Sequence, residues 1–358
     1  MSGVQHLTVA ADEAEQRLDR WFRKRFPQLN QGQLEKLCRK GAVRVDGGRV
    51  KASTRIGPGQ SVRVPPLPEA RAEAGEAVAG RVEGRGPAKP AAVRSVDEAL
   101  AEEVRRAVIF RDEHMIVLDK PPGLAVQGGT GQTRHLGAAL PALRFGREDD
   151  PRLVHRLDKD TSGVLVLART GAAAVALSRA FRQRSTEKLY IAVLAGRPKP
   201  LSGTVHYGLE KAGGAGAERM VVVHPDEVGA RGEARHARTD YRVIETAGTR
   251  ACWAVLRPVT GRTHQLRAHM AALGTPIAGD GKYGGRSQEN EGDGWGASLG
   301  QAVSRKLHLH AWRLTLPHPA TGARRSFSAP LPEHMARTWS LFAWDLAMLP
   351  DPVFPGPG

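Results

Sequence analysis

The stretch LVHRLDKDTSGVLVLART, residues 153–170, joins two kinds of sequence. His155, Arg156, Asp158, Lys159, Asp160, Thr161 and Ser162 make a charged, polar loop. VLVLA (164–168), just after it, is aliphatic and β-branched, a composition that favours a buried strand. A loop tied to a buried strand is held rigidly, which is how catalytic side chains are commonly presented. Taken alone, the loop fits a turn with a capping Asp as well as it fits a site.

The wording of the loop separates these readings. HRLDKDTSG resembles the HRLDxxTSG signature of the RluA-type pseudouridine synthases. Further blocks are similar to that family's and follow in its order: VLDKPPGLAVQGG (117–129), EKLYIAVLAG (187–196), VTGRTHQLRAHM (259–270), PIAGDGKYGG (276–285) and LHLHAWRLTLPHP (307–319). The resemblance covers roughly residues 108–331 and implies an RNA-modifying isomerase with no cofactor.

Composition points the same way less sharply. The 358 residues carry 53 Lys and Arg against 37 Asp and Glu, a net charge of +16. Such a balance favours polyanionic partners and says nothing about fold. Two cysteines, Cys38 and Cys252, make neither a disulfide framework nor a thiolate metal cluster, and read as small buried residues. No secretory signal and no run of 18 apolar residues is visible, so a monomer in the cytoplasm is expected, with RNA rather than membrane as partner.

Three regions are expected. In residues 1–68, Leu18, Trp21, Phe22 and Phe26 fall at helical spacing, Leu34, Leu37 and Cys38 mark a second helix ending at Gly41, and AVRVDGGRVKAS reads as a hairpin around Asp46-Gly47. SVRVP (61–65) reads as a further strand. Two helices and a basic hairpin resemble the S4 RNA-binding fold, here a small α/β unit. Its 13 Lys and Arg against 6 acids are also compatible with an ordinary solvated basic face. Residues 69–105 read as a flexible Ala/Gly/Pro-rich linker, since 14 of the 27 residues from 69 to 95 are of those types. SVDEALAEEVRRAV reads as a short helix leading out of it.

Residues 106–358 form the expected catalytic domain. Runs of short strands broken by helices at 171–184, 263–273 and 333–346 indicate an α+β fold with a mostly antiparallel sheet. Segment 286–300 reads as a mobile loop.

Pseudouridine synthesis breaks the N1–C1′ bond of a uridine, turns the freed uracil and makes a C5–C1′ bond. A carboxylate suits this as a nucleophile toward a sugar or base carbon, or as a base toward a sugar proton. The resemblance puts that role on Asp158 and leaves both routes open; Asp160 reads as a turn-stabilising residue. A carboxylate kept ionised in a water-poor pocket needs a nearby cation, and the resemblance supplies Arg267, about one helical turn after His264. Tyr190 matches the family's active-site tyrosine, fit to stack on the detached base. Arg156 resembles a residue that enters the space left by an extruded nucleotide. His155 helps to shape the loop, Leu266 lines the pocket, and Arg262 and His264 complete the expected RNA contacts.

Competing motifs fail. His308 and His310, and His264 and His269, lack metalloprotease spacing. QGGTGQ (127–132) lacks the Lys-Ser/Thr of a phosphate loop, and no GxSxG occurs. The S4-like head and AVQGGTG are similar to the RluC-type enzymes acting on large-subunit ribosomal RNA, with Gln127 where that family has histidine. An RluD-type synthase with other large-subunit targets is the alternative within the class. A non-catalytic ribosome-assembly factor is the alternative outside it, and its mark would be loss of the acid at 158. A metal-dependent RNA hydrolase would need a ligand cluster that is not in the sequence.

Overall fold

The computed structural model describes residues 3–10, 13, 16–26, 29, 31–67, 97–128, 133–183, 185–212, 219–284 and 302–354. The chain divides into two units, residues 1–88 and 89–358.

In the first unit, β1 (Gln5–Thr8) and β2 (Gln16–Arg17) precede α1 (Leu18–Arg25) and α2 (Gln31–Arg39); β3 (Arg44–Val45), β4 (Gly48–Arg49), β5 (Arg55–Ile56) and β6 (Ser61–Val64) follow. The expected helical stripe is the core. Leu18, Trp21, Phe22 and Phe26 pack with Leu34 and Cys38 of α2 and Val62 and Val64 of β6. Trp21 and Phe22 meet edge to face at 5.4 Å, the geometry favoured by aromatic quadrupoles. The buried Glu13 is matched by two donors, Trp21 Nε1 at 3.1 Å and Arg25 Nη2 at 2.6 Å. The β3–β4 turn uses positive φ at Asp46 and Gly47, as expected. β1, not anticipated in QHLT, closes the sheet by pairing antiparallel with β6. Burial pushes the Cys38 thiol up to about 11, so it acts as an apolar filler.

The second unit contains α3 (Glu98–Arg106), β7 (Val108–Arg111), β8 (Met115–Lys120), α4 (Leu136–Ala139), β9 (Arg152–Leu153), β10 (Ser162–Ala168), α5 (Gly171–Arg182), β11 (Glu187–Ala195), β12 (Ser202–Ala212), β13 (Arg219–Val223), β14 (Arg235–Ala247), β15 (Ala251–Pro258), α6 (Gln265–Ala272), β16 (Leu309–Pro317), β17 (Arg324–Ser328) and α7 (Glu333–Phe342). Among the described residues one sheet runs β13-β12-β14-β15-β11-β16-β10-β8-β7, with β17 beside β16 and β9 beside β10. It is antiparallel except where β10 meets β16 in parallel.

Burial on both faces explains why the strands read as unbroken apolar runs rather than alternating ones. All seven residues of β10 are buried. Leu165 and Leu167 pack under Leu100 and Val104 of α3 and Leu136 of α4. Val164 and Val166 pack on the other face with Ala173 and Leu177 of α5. In β11, Ala192 and Leu194 meet Leu266 and Met270 of α6, while Ile191 and Val193 meet Met335 and Trp339 of α7.

Two readings change. The helix expected in SVDEALAEEVRRAV is present at 98–106, but it is part of the larger unit rather than of the linker, since its Leu100 and Val104 are core residues there. Strand β12 was not anticipated because Gly203, Gly208 and its polar positions hide its period; it is a largely exposed strand. Residues 69–96 and 286–300, expected as linker and loop, lie outside the described residues. Among the described residues no helix is long and apolar enough to cross a membrane.

Two fully buried histidines set an acid limit on the fold. Burial, with smaller contributions from neighbours, pushes His308 and His310 down to about 4. Both are neutral in the fold, whereas the unfolded chain protonates them near pH ~6.5. Their contribution is complete above that value and is lost as pH falls toward 4. Urea unfolding at pH 5 is therefore expected to give about 2 kcal/mol less stability per histidine than at pH 7.5. Equal stabilities would contradict this.

Candidate active site

Three tethers hold the loop at 155–162. His155 Nε2 accepts the backbone N–H of Val166 at 2.8 Å, and its ring stacks on Phe181 with centroids 4.3 Å apart. Burial, then the charge of Lys188, pushes His155 down to about 3. The ring therefore stays neutral and keeps its acceptor nitrogen. Lys120, fully buried at the end of β8, donates to the carbonyls of Pro121 (2.7 Å), Leu124 (2.9 Å) and Lys159 (3.0 Å). One ammonium thus ties the 121–124 turn to the 158–160 loop. Burial pushes Lys120 down to about 7, against the opposing charges of Asp160, Asp158 and Asp119. The third tether is Gly163, where β10 begins. A Cβ there would lie 2.2 Å from the Ala311 carbonyl oxygen, and φ is +104°. Only glycine lets β10 and β16 approach so closely.

The loop opens onto a cavity of about 520 Å³ lined by all eight residues singled out in the sequence: Asp158, Tyr190, Arg267, Arg156, His155, Leu266, Arg262 and His264. They come from the 155–162 loop, β11, the 259–264 loop and α6. Asp158 is half-buried, and its carboxylate makes no hydrogen bond or ion pair among the described residues. Tyr190 sits at a register shift in β11 and packs between the cluster under α3 and α4 and the one under α6. Burial, then the charge of Asp158, raises its pKa, so the phenol is neutral. Leu266 is buried and supplies apolar lining. Arg156 is exposed, with no hydrogen-bonding or ionic partner among the described residues. Arg262, also exposed, donates from Nε to the His236 carbonyl at 3.2 Å.

The cation beside Asp158 is organised differently from the expectation. Arg267 does not bond Asp158. Its Nε and Nη2 donate to the two oxygens of Asp280, both at 2.7 Å, in a buried bidentate pair. Burial disfavours the guanidinium charge, but the bonds and charge of Asp280 and the charge of Asp158 outweigh it and raise its pKa. Arg267 thus acts on Asp158 through space while Asp280 fixes its orientation. Asp280 also accepts the backbone N–H groups of Lys282 and Tyr283.

Two further expectations shift. His264 does not share a helical face with Arg267. It precedes α6 with φ of +50°, and its Nδ1 lies 3.0 Å from the Tyr283 hydroxyl. Burial lowers its pKa, opposed by the charge of Asp158. Asp160 does not close the turn with its side chain. The closing bond is backbone, Thr161 N–H to Asp158 C=O at 3.2 Å, and the exposed Asp160 carboxylate has no partner among the described residues.

Sequence reasoning passed over three supporting residues. Gln265 accepts from Thr260 Oγ1 and Arg262 N–H and donates to the Arg238 carbonyl and Thr239 Oγ1, and so staples the 259–264 loop to β14. Lys120 and Asp280 lie inside the VLDKPPGLAVQGG and PIAGDGKYGG blocks, each with a second charged residue close by, Asp119 and Lys282, so the sequence does not single them out. Among the described residues no group of three or more His, Cys, Asp or Glu is placed to hold a metal ion.

Comparison with known proteins identifies the family. Residues 114–272 match the RNA pseudouridylate synthase family and residues 16–62 the S4 domain. The chain is 34% identical over 341 residues to the ribosomal large subunit pseudouridine synthase C of Escherichia coli strain K12, covering 93% of this chain and 95% of that one. To the protein of that name from Vibrio cholerae it is 33% identical over 334 residues, with coverage of 93% and 95%. The solved structure of human RNA Pseudouridylate Synthase Domain Containing 4 superposes with a TM-score of 0.55 at 28% identity, covering 69% of this chain and 97% of that one. The chain belongs to the RluA-type family of RNA pseudouridine synthases, with an S4 domain in its N-terminal part.

Proposed function

We propose that this enzyme converts specific uridines of large-subunit ribosomal RNA to pseudouridine, as an RluC-type synthase acting as a monomer in the cytoplasm. The observation that carries the reading is the convergence of Asp158, Tyr190 and Arg267 on one cavity, in a chain similar over nearly its whole length to proteins named for that substrate.

The roles are those the resemblance implies, and the geometry supports them. The reaction is an isomerisation: the N1–C1′ bond breaks, C5–C1′ forms, the C5 proton leaves and N1 gains one. Asp158 is the reacting carboxylate, as nucleophile or as base toward the sugar. Arg267, held by Asp280, sets a fixed positive charge that acts on that carboxylate through space. The neutral Tyr190 ring stacks on the freed uracil, with its hydroxyl toward the C5 proton. Arg156, free to move, fills the stack vacated by the extruded nucleotide.

The direct test is tritium release from transcripts labelled at uridine C5. Release from large-subunit ribosomal RNA and none from small-subunit RNA is expected. Release from neither would overturn the reaction, and release from small-subunit RNA alone the substrate.

The S4 unit is read as an RNA anchor. Deletion of residues 1–68 is expected to weaken RNA binding and flatten its salt dependence, because each lost phosphate contact releases fewer counterions. Fluorescence titration over a range of salt concentrations checks this; an unchanged slope would mean that the unit does not hold RNA.

A further inference from the structure

A second hollow, of about 560 Å³, adjoins the candidate active site and shares Lys188, Pro258 and Val259 with it. It crosses the ends of neighbouring strands, with Arg238 and Asp240 from β14, Arg257 from β15, Glu187 and Lys188 from β11 and Arg324 from β17. Four cationic side chains face two carboxylates there, so the groove keeps a positive excess.

The cations are mounted rather than scattered. Asp240 is 5% exposed and takes Arg257 through Nε at 3.0 Å and Nη2 at 2.9 Å, with Arg238 Nε at 3.4 Å. Arg257 also lies over the Phe354 ring at 4.5 Å. Both Arg257 bonds go to Oδ2, and Thr204 Oγ1 donates to Oδ1 at 2.8 Å; each oxygen thus has a closer donor, and Arg238, whose side chain is 52% exposed, adds only the longest bond. Arg324 is exposed, donates to the Ser185 carbonyl at 3.4 Å and has no carboxylate partner among the described residues. Guanidinium groups that face solvent beside a nucleotide-sized hollow, each lightly held by one 3.4 Å bond, suit phosphate oxygens.

We propose that this groove is a phosphodiester subsite that holds the single-stranded RNA backbone flanking the target uridine, with Arg238 and Arg324 as the phosphate donors. The proposal rests on the RNA reading above and deepens it. A strand leaving the cavity past Lys188 would enter the groove directly, so the enzyme would draw affinity from neighbouring phosphates without reading their bases.

The test compares the full-length wild type with Arg238→Gln, Arg324→Gln, the double variant and Arg324→Lys, using a fluorescent 20-nucleotide oligouridylate over a salt series. The double variant is expected to bind at least tenfold more weakly at 0.1 M salt. Its log–log salt slope should be smaller by about 1.4, at ~0.7 per phosphate lost from a single strand. Arg324→Lys should stay within twofold of wild type. On labelled ribosomal RNA, the double variant's KM should rise while kcat at saturation stays within twofold, which a merely structural role would not produce. If Arg238→Gln lowers the melting temperature, Arg324→Gln alone carries the test with half the slope change. Wild-type slope and affinity in a folded Arg324→Gln would overturn the subsite. Failure of wild-type tritium release alongside a changed slope would overturn the function reading and leave the subsite standing.

Discussion

Asp158→Asn is expected to remove turnover, by at least ~10³-fold, while RNA affinity stays within a few fold of wild type. The amide matches the carboxylate in shape but neither adds to carbon nor takes a proton at neutral pH. Because the Asp158 carboxylate bonds nothing among the described residues, its replacement breaks no contact of the fold. Loss of its charge also has a signature independent of activity. Asp158 opposes protonation loss at His264 and deprotonation at Tyr190, so both pKa values should fall in the variant, as nuclear magnetic resonance titration would read. Full activity would overturn the assignment of the reacting group.

Asp280→Ala is expected to have the largest effect on stability. It leaves the Arg267 guanidinium buried without its bidentate partner; breaking a buried pair this way costs about 3–5 kcal/mol. It also frees Arg267 to turn toward Asp158, so kcat should fall by at least ~10²-fold, as a small misplacement in a site can cost that much. Denaturant unfolding and single-turnover kinetics give the two values. The double variant Arg267→Ala/Asp280→Ala should be more stable than Asp280→Ala alone, because it removes the stranded charge. Wild-type stability in Asp280→Ala would show that the pair does not anchor the site.

Much of the fold was legible because local chemistry and tertiary structure agree. The stripe of Leu18, Trp21, Phe22 and Phe26 can bury only as a helix, and VLVLA is apolar on both faces because helices cover both faces of its strand. β12 stayed hidden because exposed polar residues and two glycines carry no period. The α3 helix was legible, but the Ala-rich segment before it hid that its apolar Leu100 and Val104 belong to the core of the larger unit.

The site divides in the same way. Residues that meet the cavity lie in motifs whose wording carries them, and all eight line it. The supports are legible only in three dimensions. Asp280 lies 13 residues from the arginine it holds, and Lys120 donates to a carbonyl 39 residues away. Spacing along the chain does not report such distances. The resemblance pointed to an Arg267–Asp158 pair and the spacing to a helical His264, where the structure has a through-space cation and a residue in the left-handed region.

The most direct measurement of the central claim is nucleotide-resolution pseudouridine mapping of an unmodified large-subunit ribosomal RNA transcript, incubated with the wild-type protein and, separately, with Asp158→Asn. The account predicts new pseudouridines at a few defined positions with the wild type and none with the variant. The same sites with both proteins, or none with the wild type despite tight binding, would contradict it.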